Sequence, residues 1–216
     1  MATKLEELFE EIDGLVSDVW GGPSSALSLR DYQAASKRLG VSVPSIMAIA
    51  EVEAGPHGAF LPNGHPVILF ERHVFSRETG GKHDNDAPHL SNPKPGGYGR
   101  VSDQPERLGQ AVSIEPVAAI RSASWGLFQI MGFNFRKAGF EKIEDFRSSM
   151  ERSAGDHLQA FVRFIESDSR MLRALKGNKW GSFARLYNGP GFKKNKYDWK
   201  LRVAYKRHGG IENEVG

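Results

Sequence analysis

The chain has no cysteine, which excludes disulfides, thiolate metal sites and a cysteine nucleophile. No apolar run approaches the roughly 20 residues that span a bilayer. The first residues, Met-Ala-Thr-Lys-Leu-Glu-Glu-Leu-Phe-Glu-Glu, lack the basic start and continuous apolar core of a secretory signal. They imply a protein made in the cytoplasm whose export relies on another route. Internal repeats, low-complexity tracts and a strong excess of one charge are also missing, the formal net charge being +3 over 216 residues. With a sequence pI near 9.1, that mild basic bias suits an anionic polymer such as nucleic acid, a cell-wall glycan or a membrane surface, without choosing among them.

What is present is enough for one full core with a small appendage. Leu5, Leu8, Phe9, Ile12, Leu15, Val16 and Val19 recur at three- and four-residue spacing, which predicts an amphipathic helix over the first twenty residues. Gly-Gly-Pro-Ser-Ser at 21–25 reads as a linker, so residues 1–25 form the appendage and 26–216 the main domain. Ser28-Leu29-Arg30-Asp31 resembles a capping box, with a helix running to Leu39 and stopping at Gly40. A second helix covers 45–55, opened by Val43-Pro44 and closed by Gly55-Pro56. Pro66 to Glu71 predicts a strand, followed by a short helix through Phe75 that ends at Gly80-Gly81. Residues 82–102 form a long Pro-, Gly-, Asn- and His-rich loop, of a length that in a compact domain is functional or disordered. Beyond it, helices are predicted over 104–113, 115–122, 125–131, 133–138, 143–151, 154–166, 169–176, 179–187 and 197–207. The fold class is therefore mainly α, or α+β, with a small strand-and-loop insertion after the 45–55 helix.

That helix carries the chemistry. Ile46, Ile49, Ala50 and Val52 share one apolar face, and Glu53 falls near its middle while Glu51 lies toward the polar edge. A carboxyl group aimed into an apolar face has a raised pKa and can hold a proton near neutral pH to give away. The wheel leaves the alternative open that Glu53 turns to solvent or pairs with an arginine. His57, His65, His73, His83 and His89, with Asp84 and Asp86 nearby, invite a rival zinc-site reading. No His-Glu-x-x-His element supports it, and neither a metal nor another cofactor is expected.

Three stretches together resemble the lysozyme-like superfamily of goose-type lysozymes and soluble lytic transglycosylases. They are Ala-Glu-Val-Glu-Ala-Gly at 50–55, Ser-Ala-Ser-Trp-Gly-Leu-Phe-Gln-Ile-Met at 122–131, and Leu-Tyr-Asn-Gly-Pro-Gly at 186–191 followed by Tyr197. A closer resemblance is to the N-acetylmuramidase family of phage endolysins. It is carried by Ile-Leu-Phe-Glu-Arg-His at 68–73, Ser-Asn-Pro-Lys-Pro-Gly-Gly-Tyr-Gly at 91–99, the stretch from Arg121 to Gly132, and Tyr-Asn-Gly-Pro-Gly at 187–191. It covers roughly residues 28 to 208, with Ala54 where serine is commoner in the family.

The resemblance implies a lysozyme-like catalytic domain that cleaves the β-1,4 bond between N-acetylmuramic acid and N-acetylglucosamine in peptidoglycan. Glu53, rather than Glu51, would be the general acid. Gln129 and Asn188 are amides suited to N-acetyl groups and sugar hydroxyls, and Tyr187, Tyr98 and Trp125 offer faces for sugar packing, although Trp125 fits the core equally well. Glu71 is the first candidate for a second carboxylate, with Asp84 and Asp86 next. Some relatives use one glutamate and the substrate's own acetamido group or C6 hydroxyl, so a lytic transglycosylase on the same residues is an alternative. A non-catalytic wall-binding virion module is another. The basic segment from Phe192 to Arg207 is a solvated helix face or a contact for anionic envelope polymer or membrane. Peptidoglycan strands are the expected partner, nucleic acid is not, and a monomer is expected, reaching the wall by holin-type release.

Overall fold

The computed structural model describes residues 26–211; the amphipathic helix expected over the first twenty residues and the linker after it lie outside the described residues. The described chain is mainly helical with one small three-stranded sheet. Helix α1 (Leu29–Leu39) opens on the expected reciprocal cap. The Ser28 hydroxyl accepts from the Asp31 N–H at 3.3 Å and the Asp31 carboxylate accepts from the Ser28 N–H at 2.9 Å. Such a cap contributes about 1 kcal/mol, and left-handed Gly40 closes the helix. Helix α2 (Val43–Ala54) is capped by Ser42, holds Pro44 in its first turn and ends at Gly55. Glu53 therefore sits in its last turn.

Strand β1 (Ile68–Phe70) and helix α3 (Arg72–Glu78) fall where expected, followed after the long loop by α4 (Gln104–Ile114) and α5 (Pro116–Arg121). The helix predicted over 125–131 is absent. In its place β2 (Ala123–Trp125) pairs antiparallel with β1, Ile68 opposite Trp125, and β3 (Ile130–Met131) pairs back onto β2. Two residues of the intervening turn forbid a helix: Gly126 at φ 67° and Gln129 at φ 47°. Gly126 is also required sterically, since a Cβ there would lie 2.5 Å from the His157 ring. The helix predicted over 133–138 shrinks to a 3₁₀ turn at Gly132–Asn134. At its start the backbone lies so close to α5 that a Cβ on Gly132 would fall 2.0 Å from the Ile120 carbonyl oxygen.

The remaining helices match their predicted spans closely: α6 (Ile143–Met150), α7 (Ala154–Glu166), α8 (Ser169–Lys176), α9 (Trp180–Asn188) and α10 (Tyr197–Arg207). Helix α7 is buried along Leu158, Phe161, Val162 and Ile165, and Phe161 stacks on Phe128 of the hairpin turn with ring centroids 4.3 Å apart. Removing a ring so placed costs about 3–5 kcal/mol. Helix α10 packs along both α2 and α9, which gathers the end of α2, the end of α9 and the start of α10 at one place.

The loop over 82–102 has no hydrophobic period, and it is fixed instead by polar staples. Asp84 accepts from the hydroxyls of Ser76 at 3.0 Å and Ser91 at 2.5 Å. Arg107 donates to the carbonyls of His89, Gly97 and Tyr98 at 2.5, 2.8 and 2.6 Å. Fully buried Gln104 accepts from the Phe70 N–H at 3.0 Å and donates to the carbonyls of Tyr98 and Arg100, tying the loop to the edge of β1.

Candidate active site

Glu53 projects from the last turn of α2 to the junction of α9 and α10. The Asn188 amide at the end of α9 donates to its Oε1 at 2.9 Å. Burial pushes the Glu53 carboxyl up to about 7 against the opposing pull of the Asn188 hydrogen bond and the positive charge of Lys200. Such a group is part protonated and part ionised near neutral pH, the state a general acid needs. Tyr187 and Tyr197 flank it: burial first, and the charge of Glu53 second, raise Tyr197 to about 12 and hold Tyr187 well above its ordinary value. Asn188 Oδ1 is buried without a hydrogen-bond partner among the described residues, an acceptor held ready beside the acid.

Glu51, two residues earlier, is committed elsewhere. Its Oε1 accepts from Arg207 and its Oε2 lies 2.9 Å from His208 Nε2, so it fastens α2 to the end of α10.

Glu71 stands at the residue before α3, at the end of β1, and its side chain makes no capping hydrogen bond to that helix. Its Oε2 lies 3.2 Å from His73 Nδ1 and accepts from the Tyr98 hydroxyl at 3.4 Å. Burial, and then the charge of Glu71, raise the Tyr98 hydroxyl above its ordinary value. Thus Tyr98 and Glu71 come together, as do Glu53, Tyr187 and Asn188. No carboxylate is among the groups whose charge shifts Glu53.

Other expected residues have different employment. Trp125 is 1 % exposed, donates to the Ile120 carbonyl at 3.1 Å and meets Phe146 edge-on, so it is core and offers no face to a sugar. Gln129 accepts from the Ser124 hydroxyl at 2.7 Å and donates to the carbonyls of Gly126 and Val67 at 2.8 and 3.3 Å. Its amide hydrogens are spent on the turn whose left-handed conformation it adopts, rather than on an N-acetyl group. The Tyr187 ring packs on Phe161, Phe164 and Phe183, and its hydroxyl donates to the Phe128 carbonyl at 2.6 Å. It is a wall beneath Glu53 and not an open stacking platform. Asp84 staples the loop, and Asp86 is exposed beside it. The histidines of the zinc alternative are dispersed: His73 faces Glu71, His83 stacks on Phe75, and His89 meets Gln110. No group of three metal-binding side chains converges among the described residues.

Lys200 went unrecognised as part of the site because its sequence neighbourhood reads as a solvated basic face. The signal available was its i,i+3 spacing from Tyr197, which puts both on one side of α10; its ammonium lies 5.5 Å from the Tyr197 ring centroid.

The sequence model of the N-acetylmuramidase family matches residues 42–209. Among solved structures, the chain is similar to the crystal structure of the Burkholderia AP3 phage endolysin, at 38 % identity and a TM-score of 0.78, over 89 % of this chain and 76 % of that one. No curated protein matches.

Proposed function

This chain belongs to the N-acetylmuramidase family, and from that premise we propose that it cleaves the β-1,4 bond between N-acetylmuramic acid and N-acetylglucosamine in peptidoglycan, with Glu53 as general acid. The family makes it a glycoside hydrolase of muramidase type, and its likeness to a phage endolysin supports a role in wall lysis. The observation that carries the assignment is a carboxyl group raised to about 7 by burial and held by Asn188 at 2.9 Å. Below that pH Glu53 is protonated and gives its proton to the glycosidic oxygen as the bond breaks, leaving a carboxylate that Asn188 Nδ2 and Lys200 stabilise. Asn188 Oδ1 can accept from a substrate donor such as an N-acetyl N–H.

Glu71 is the proposed second carboxylate, oriented by Tyr98 and His73. No carboxylate contributes to the shift of Glu53, and Glu71 would serve as the nucleophile or as the base that activates water. The same observation favours a second reading, a lytic transglycosylase in which the substrate's C6 hydroxyl attacks and no second carboxylate is needed. Access to the wall would come by holin-type release, and the exposed cations of α10 would meet anionic envelope polymer.

Mass spectrometry of the soluble products from purified sacculi tests the assignment. Hydrolysis leaves reducing muramic acid ends, and in heavy-oxygen water these carry one labelled oxygen. Anhydro ends, lighter by one water, would establish the transglycosylase, and binding to sacculi without soluble product would leave a wall-binding module.

A further inference from the structure

The segment that leaves the Glu53 helix and the segment that leaves Tyr98 face one another across a cavity of about 610 Å³, within the range of ligand pockets. Leu61, Pro62 and Val101 make its apolar lining, and His57 and Arg100 its ionisable lining. Along the chain, His57 lies four residues beyond Glu53 and Arg100 two beyond Tyr98, so the cavity is lined by the segments that follow each of them. Its character differs from that of a sugar subsite. Apart from His57 it has no ring to stack on a pyranose, and no convergent set of amides. It has aliphatic surface beside a guanidinium whose side chain is 85 % exposed and which engages Asp103 through Nε at 3.3 Å. The backbone behind it is crossed by two more cations, Arg72 against Gly97 and Arg107 on the carbonyls of Gly97 and Tyr98. Asp103 pairs with Arg100.

We infer that this cavity binds the acidic peptide that hangs from each muramic acid, its methyl groups on Leu61, Pro62 and Val101 and a carboxylate on Arg100. The inference rests on the peptidoglycan reading above and adds a specificity to it: the enzyme reads the peptide as well as the glycan. Peptide-substituted glycan has the two chemistries the lining offers, small aliphatic groups and fixed negative charge, at the sugar next to the bond that Glu53 would cleave. A guanidinium suits this task because it makes charge-assisted hydrogen bonds to a carboxylate in a fixed plane.

The test compares intact, peptide-bearing glycan strands with the same strands after an amidase has removed the peptides. The wild type should lose roughly ten-fold in kcat/KM on stripped strands, the effect of one charge-assisted hydrogen bond, mostly through KM. Arg100→Ala, at a side chain 85 % exposed, should erase most of that preference. Independently, synthetic L-alanyl-γ-D-glutamate added to the labelled wild-type protein should shift the amide resonances of Gly99, Val101 and Ser102, and should fail to do so in Arg100→Ala. Equal rates of the wild type on both strands would overturn the peptide site while leaving the muramidase reading intact. So would an Arg100→Ala loss of equal size on both strands, which would give the cavity to the sugars instead. Failure to cleave either strand would overturn the muramidase reading itself.

Discussion

Replacing Glu53 by glutamine removes a proton-binding group whose affinity differs between the folded and unfolded chain. In the fold, burial holds its pKa near 7, against an ordinary value of 4.5. The native state therefore binds a proton that the unfolded state releases, and the stability linked to that proton is full below the unfolded value and lost as pH rises through the folded one. At 1.36 kcal/mol per pH unit, the gap between 4.5 and about 7 amounts to roughly 3 kcal/mol. Glutamine keeps the shape and can still accept from Asn188, but it does not titrate. The stability of Glu53→Gln minus that of the wild type should thus grow by about 3 kcal/mol between about pH 4 and about pH 8, rising through the window from 4.5 to 7 and flat beyond it. Urea unfolding of both proteins across that range measures it. A difference independent of pH would refute the argument that Glu53 is a buried acid, whatever the variant does to activity.

Other perturbations follow from the same contacts. Asn188→Leu removes the hydrogen bond that favours ionised Glu53, so the alkaline limb of the pH profile of kcat/KM should move up by about one pH unit while kcat falls. Glu71→Gln should lower kcat by about a hundred-fold or more if Glu71 activates water, and Tyr98→Phe by less with KM little changed; near-wild-type kcat in Glu71→Gln would transfer the second role to the substrate. Buried His157 accepts from the Leu127 N–H on Nδ1 at 3.1 Å while Nε2 lies 2.7 Å from the Met150 carbonyl oxygen, a pairing that requires the neutral ring. Burial lowers its pKa from 6.5, so the stability it gives is present above 6.5 and lost as pH falls below. The stability advantage of the wild type over His157→Gln should therefore shrink as pH drops through that value, and thermal unfolding of the pair measures it.

The helices were legible wherever one face meets solvent, because a three-to-four-residue period survives in the sequence. Helices α7, α8 and α10 lie where that period put them. The stretch over 123–131 has no fully exposed residue to mark a period: Trp125, Phe128 and Ile130 are buried and Leu127, Gln129 and Met131 half-buried, and a short apolar run fits helix or strand alike. What decides it is the left-handed turn at Gly126 and Gln129. Glutamine gives no sign of that conformation until its amide bonds to Ser124, Gly126 and Val67 are known.

The place of Glu53 in the last turn of α2 was legible, because the helix's period and its terminating glycine set it. Lys200 was not, since its approach to Glu53 comes from packing α10 on α2, separated by most of the chain, whereas Tyr197 already stood with the 186–191 stretch. Trp125, Gln129 and Tyr187 each have a partner within the fold that their sequence did not announce. Side-chain chemistry suggests what a residue can bind, but the fold had already spent these groups on its own carbonyls and rings.

The central claim is that Glu53, and not Glu51, donates the proton that breaks the glycan. It is tested most directly by the initial rate of soluble muropeptide release from purified sacculi by the wild type, Glu53→Gln and Glu51→Gln, each first shown to be folded by its circular dichroism. The account predicts a loss of about a hundred-fold or more for Glu53→Gln. Glu51→Gln, which loosens only a surface pairing with Arg207 and His208, should retain most of the activity. A Glu53→Gln enzyme near the wild-type rate would contradict the account, and an inactive Glu51→Gln beside it would move the acid to the other glutamate.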